Sequence, residues 1–203
     1  MDNTYLSLKY NSKSRWLSYW YQISKALEVS PASVLLVGKG SGITDNVIKQ
    51  LSGGAVKIVT LDINYAVQPD VGGDVLQFPF KDGSFDAAIC CQVLEHVPFN
   101  KFGAALGELS RVAKKRVVIS LPHKRKHLKL SFHLPFIGEK TLIVKHPLTL
   151  KYCTSKNHCW EITRGVSRKQ VVHEINKFFD IEQEFLNELN CNHRFFILKG
   201  KKV

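Results

Sequence analysis

The chain has 203 residues, 44% of them hydrophobic, which suffices for one sizeable core and calls for no second domain. No apolar stretch approaches the roughly 20 residues that cross a bilayer, and the opening MDNTYLSLKYNSKSR lacks the apolar stretch of a secretory signal, so a single cytoplasmic domain over residues 1–203 is expected. The net charge of +12 lies in the second half: residues 1–110 hold 9 Lys+Arg against 10 Asp+Glu, and the remainder holds 20 against 7. That half is either a solvated surface or a face that attracts phosphate, nucleotide, acidic lipid or nucleic acid. The five cysteines (Cys90, Cys91, Cys153, Cys159, Cys191) are odd in number, with an adjacent pair in an apolar run, and read as reduced thiols.

In chain order, SRWLSYWYQISKALEV sets Trp16, Trp20, Ile23 and Leu27 at helical spacing, predicting an amphipathic helix laid on the core within an N-terminal segment, 1–30. Trp16, Trp20 and Tyr21 are expected to pack inward, the alternative being a helix that closes over a pocket. Strand and helix then alternate. Ser33 to Val37 reads as a buried strand, Ile43 to Leu51 as a helix, and Val56 to Leu61 as a strand ending at Asp62. A short strand near Val75 precedes the strand Phe85 to Cys91, a helix from about Phe99 to Val112, and the strand Arg116 to Leu121 stopped by Pro122. Residues 122–166 break the rhythm with five of the eight histidines and the cluster HKRKHLK. SRKQ from Ser167 has capping-box spacing before a helix Val171 to Phe179, and the runs Ile181 to Leu186 and Arg194 to Leu198 are expected to pair as a hairpin. The class is α/β, with a doubly wound, mostly parallel sheet and a C-terminal antiparallel hairpin.

The stretch VLLVGKGSG, residues 34–42, places three glycines behind a strand and ahead of a helix. Such a turn offers backbone N–H groups and a positive helix end at the carboxyl edge of the sheet, although it also occurs as a plain structural turn. Ile43 stands where a dinucleotide fingerprint needs a sixth-position glycine or alanine, and no G-K-[ST] closes a P-loop.

Together with VTLDIN and GDVLQFPFKDGSFDAAICCQVLEHV, this turn resembles the class I S-adenosylmethionine-dependent methyltransferases, over roughly residues 14–121. HCWEI and HRFFILK are similar to segments of small, type-11-like members often encoded among cell-surface polysaccharide genes. The resemblance implies a Rossmann-like three-layer sandwich and S-adenosylmethionine as cofactor. Gly38, Gly40 and Gly42 would cradle that cofactor, Asp62 with Ile63 would meet the ribose, Asp74, Val75 and Leu76 the adenine, and Cys91 the pocket wall. A carboxylate suits the ribose because it accepts from two neighbouring hydroxyls at once. Leu36 departs from the pattern: the family usually has Asp or Glu there, near the cofactor's methionine end. Lys39, at a variable position, either approaches the methionine carboxylate or points to water.

Transfer to a hydroxyl calls for a general base at the carboxyl ends of the strands or in the segment covering them. His96 in VLEH, His123 in SLPH and His158 in the covering segment are the candidates, each with the alternative of capping a helix or bonding a carbonyl. Lys124 and Arg125 in HKRKHLK, with Trp160 and Glu161, are expected to meet the acceptor from a substrate-side insertion, 122–166, and His193 from the last hairpin. No metal is expected, since Cys153, His158 and Cys159 lack a second paired set of ligands. The reading is methylation, on oxygen before nitrogen, of an anionic small molecule, glycan or nucleotide sugar. RNA methylation, prompted by the basic half, and a non-catalytic binding protein on a degenerate fold, prompted by Leu36, stay open.

Overall fold

The computed structural model describes residues 7–8, 10–123, 127–136, 138–145 and 157–201. One seven-stranded sheet forms the centre. It is built from β1 (Ser33–Val37), β2 (Lys57–Asp62), β3 (Val71–Gly72), β4 (Phe85–Cys91), β5 (Ala113–Pro122), β10 (Phe179–Asn187) and β11 (Asn190–Gly200). The spatial order is β10-β11-β5-β4-β1-β2-β3, with β1 to β5 parallel and β10 and β11 antiparallel. The expected α/β class and closing hairpin are both present. The expected short strand falls slightly earlier, at β3, and Asp74 forms a single bridge with Gln77.

The run SVLLV is apolar throughout because both faces of β1 are covered. Leu35 and Val37 point into one core with Leu61, Phe102, Leu106 and Phe179, beneath α3 (Phe102–Val112) and α4 (Arg168–Ile175). Val34 and Leu36 point into the other core with Tyr19, Ile23, Ile48, Phe195 and Ile197, beneath α1 (Lys13–Leu27) and α2 (Ile43–Leu51). The period of two along the strand sorts these residues into two layers.

Helix α1 is rotated relative to the expectation. Its buried face is Ser18, Tyr19, Gln22, Ile23 and Ala26, while Trp16 and Trp20 are 50% and 59% exposed. The inward face is the one that hydrogen-bonds the C-terminal hairpin: Ser18 Oγ lies 3.2 Å from His193 Nδ1 and accepts from Asn187 Nδ2 at 2.7 Å. Tyr21 does pack as expected, against Phe185 and Phe195, with its hydroxyl on Glu188 at 2.6 Å.

Within 122–166, β6 (His127–Leu134) and β7 (Gly138–Lys145) form a separate antiparallel hairpin, followed by the short pair β8 (Glu161–Ile162) and β9 (Gly165–Val166). Lys124, Arg125 and Cys153 lie outside the described residues. Among the described residues no helix is long and apolar enough to cross a membrane. The four described cysteines are free thiols.

The capping box at α4 is formed as its spacing predicts: Ser167 Oγ accepts from Gln170 N, and Gln170 Oε1 accepts from Ser167 N at 2.9 Å. The helix runs from Arg168 to Ile175 and so ends before Phe179, which opens β10. Ser167→Ala should destabilise the protein by about 1 kcal/mol, read as a shift in the denaturant midpoint at unchanged slope.

Candidate functional site

Strand order reverses between β1 and β4, and a crevice opens where the parallel strands end. A cavity of about 530 Å³ lies there. Its floor is the exit of β1, with Val37, Gly38 and Gly40, together with Leu61 and Asp62 at the end of β2. Gly38 has φ +80°, and a Cβ on it would sit 2.4 Å from Val93 Cγ2, so only glycine fits. Gly40 also needs a positive φ, +53°, but a Cβ there would meet nothing within 4 Å. Its backbone is therefore open to a ligand. Gly42 does not line the cavity; it is the N-cap of α2 at φ +73°.

Two carboxylates enter from the β2 side. Asp62 Oδ1 accepts from Asn64 N at 2.9 Å, and Asp74 Oδ1 accepts from Leu76 N at 3.0 Å, each fixing its own turn and leaving a second oxygen. Ile63, Val75, Leu76 and Cys91 also line the space. Burial pushes the Cys91 thiol up to about 12, so it faces the cavity as a neutral group.

Leu36 is 2% exposed and sits in the α1–α2 core rather than beside the cavity. Polar groups reach the cavity instead from α1 and the start of α2. Ser18, Tyr19, Gln22 and Thr44 line it, with Thr44 Oγ1 donating to Gln22 Oε1 at 3.1 Å and Tyr19 Oη 3.1 Å from Ser41 Oγ. These residues were not singled out from the sequence, where the tryptophans dominated the helical pattern. The polar spacing of Arg15, Ser18, Tyr19 and Gln22 was the signal available. Lys39 lines the cavity, yet its ammonium donates to the Gln68 carbonyl, which is neither of the two expected placements.

Beside the cavity the turn after β4 meets residues 157–161. Cys159 N donates to Glu95 O at 2.8 Å, Trp160 Nε1 to Val97 O at 2.9 Å, and His96 Nδ1 lies 2.9 Å from Asn157 O. His158 Nδ1 lies 2.7 Å from Glu161 Oε1, and its Nε2 lies 3.9 Å from Glu95 Oε1. Glu95 and Glu161 are 0% and 1% exposed. Desolvation pushes the Glu95 carboxyl up to about 8, against a lesser pull from its own backbone amide, and the neighbouring charge of Glu161 adds the smallest contribution to the rise.

The histidine candidates thus divide. His96 and His193 line the cavity; His158 does not, its ring standing edge-on to that of His96 with centroids 5.0 Å apart. His123 does not line it: at 3% exposure it sits between β11 and Ile162, accepting from Arg194 Nε at 3.1 Å through Nδ1. Trp160, expected at the acceptor, is a core residue. It is 4% exposed, its ring is edge-on to Phe99 and Phe102 at 5.1 Å, and its one N–H is taken by Val97. Glu161 likewise faces His158 and not the cavity.

Residues 35–121, the span from β1 to β5 that builds this crevice, match the family described as a methyltransferase domain. This stretch is thus similar to methyltransferase domains. The cofactor of this class is S-adenosylmethionine, and the activity supported for the domain is methyl transfer from it. No curated protein matches the sequence. Solved structures share the fold at low identity. N-methyltransferase NodS from Bradyrhizobium japonicum WM9, in complex with S-adenosylhomocysteine, is 10% identical with a TM-score of 0.60, covering 99% of this chain and 100% of that one. The glycopeptide N-methyltransferase MtfA, also complexed with S-adenosylhomocysteine, is 15% identical with a TM-score of 0.59, covering 91% and 89%. The small RNA methyltransferase HEN1 is 16% identical with a TM-score of 0.64, covering 93% of this chain and 25% of that one.

The placement of Trp160 in the core has a measurable consequence. Trp160→Phe removes the bond to Val97 and should destabilise the protein by about 1–2 kcal/mol in denaturant titration, with cofactor affinity by calorimetry unchanged.

Proposed function

We propose that the protein methylates an oxygen of an anionic small-molecule or glycan acceptor, such as a nucleotide sugar. The observation that supports this best is the distribution of charge around the cavity. Asp62 and Asp74 stand on the β2 side, where Lys39 is held by the Gln68 carbonyl, while Arg15, Lys101, His96 and His193 line other parts of the cavity. A nucleoside with vicinal hydroxyls suits the acidic side, and a phosphate or carboxylate on the acceptor suits the basic side.

In this reading Asp62 accepts from the ribose hydroxyls, with Ile63 beside it, while Asp74, Val75 and Leu76 border the adenine. The open backbone at Gly40 lies against the ligand, and α1 closes over it through Ser18, Tyr19 and Gln22 and excludes water. The bound cofactor supplies a methyl group already activated on a sulfonium, so the protein's task is alignment and acceptor activation. His96 and His158, next to buried Glu95, activate the acceptor, and His193 borders it. Lys124 and Arg125 add positive charge from the segment that follows β5.

Asp62→Ala should weaken S-adenosylmethionine binding by about 1.5–3 kcal/mol, roughly 10- to 150-fold in Kd by calorimetry; unchanged affinity removes Asp62 from the site. Replacing Lys124, Arg125 and Lys126 together by Gln should raise KM for a phosphorylated acceptor several-fold in steady-state assays while leaving cofactor affinity as it is. The basic half favours RNA as the second acceptor class. A steep fall in RNA affinity with added salt, together with methylation of RNA and none of nucleotide sugars, would establish that reading in place of the first.

A further inference from the structure

We propose that Glu95, His96 and His158 bind one divalent transition-metal ion at the rim of the cavity, that Glu161 orients His158 for it, and that the acceptor oxygen takes an open coordination position. The last of these rests on the methyltransferase reading above; the metal site itself does not.

One ligand atom from each of Glu95, His96 and His158 lies within 4.8 Å of the other two. The hydrogen bonds around the rings fix their protons. Asn157 O is a carbonyl and can only accept, so His96 carries its proton on Nδ1. Glu161 Oε1, 2.7 Å from His158 Nδ1, holds the second ring in the same tautomer. Each ring is left with a lone pair on Nε2. That of His158 faces Glu95 Oε1 at 3.9 Å, acceptor toward acceptor. Among the described residues neither Glu95 oxygen has a hydrogen-bond partner, although the side chain is fully buried. A buried carboxyl with no hydrogen-bond partner, set against an imidazole lone pair, is costly, and a cation between them satisfies both.

The donor set specifies the cation. Two imidazoles and one carboxylate match the three-ligand open sites of zinc and of other first-row divalent ions, whereas magnesium and calcium take oxygen ligands. A buried carboxylate on the far nitrogen of a ligating histidine is the outer-shell arrangement that orients such ligands, and Glu161 has that position. The frame is set in advance by the bonds from Cys159 N and Trp160 Nε1 to the carbonyls of Glu95 and Val97. Of the three ligands His96 lines the cavity, and it is from that side that the acceptor would reach an open position. An acceptor hydroxyl bound there keeps its lone pairs on the metal-bound oxygen and releases its proton to water at a lowered pKa. This departs from the absence of metal expected from Cys153, His158 and Cys159, because the ligands come from two separate segments and include no thiol.

The test uses the full chain, freed of metal with a chelator and titrated separately with Zn²⁺ and Mn²⁺ by calorimetry, and with Co²⁺ by absorbance. One equivalent of metal should bind, with no thiolate-to-cobalt charge-transfer band. Glu95→Gln, which keeps the side chain's shape and carries no charge, should fold as stably as the parent chain yet lose affinity by more than about 100-fold; His158→Ala should also lose more than about 100-fold in affinity, and Glu161→Gln about 10- to 100-fold. Binding of less than one equivalent, or affinity unchanged in both Glu95→Gln and His158→Ala, overturns the site. Stoichiometric metal in a chain that fails to bind S-adenosylmethionine keeps the metal site and removes the methyltransferase reading.

Discussion

The close approach of Gly38 to Val93 is the contact on which the site depends. β1 and β4 pair in parallel, with Val37 opposite Cys90, so the turns leaving the two strands emerge side by side at one edge of the sheet. A side chain on Gly38 would stand 2.4 Å from Val93 and force those turns apart. With none there, the glycine loop presses against the turn that carries Leu94, Glu95 and His96. The cavity floor and the histidine rim therefore share one crevice, and helices on both faces of the sheet hold the arrangement.

Hydrophobic burial and polar recognition are divided along the same strand. Leu36 replaces the carboxylate usual in the family with a core residue packed under α1 and α2, so β1 contributes only backbone to the cavity beyond Val37. The polar lining is carried by α1, whose inward face alternates core residues such as Ile23 with Ser18, Tyr19 and Gln22. A helix so exposed on its tryptophan side stays in place because its other face is tied to the hairpin β10–β11 through Ser18, Asn187 and His193. The C-terminal hairpin thereby positions one wall of a site whose floor lies at the other end of the chain.

Charge is buried where it costs most, at Glu95 and Glu161. The segment 157–161 uses its backbone and indole N–H groups to cover the turn after β4, which removes water from both carboxylates and brings His158 between them. A purely structural cover would be served as well by apolar residues at these positions. The proposed metal ion gives the two acids and two imidazoles a common purpose, and it places an electrophile where the acceptor enters.

The sequence alone determined the elements and the cavity floor. The alternation of apolar runs and helical spacing, the glycine turn, the acid ending β2 and the spacing of SRKQ are local signals, each written within a few residues, and each appears in the structure where local chemistry puts it. The tertiary structure decided what depends on packing across distance. Which face of α1 turns inward follows from hydrogen bonds to a hairpin some 170 residues away in sequence. That Trp160 belongs to the core, that His123 leaves the cavity for Arg194, and that His158 joins Glu95 and His96 follow from how residues 157–161 fold back over β4 and β5. Side-chain spacing cannot reveal such meetings, because the partners share no periodicity, only a place in three dimensions.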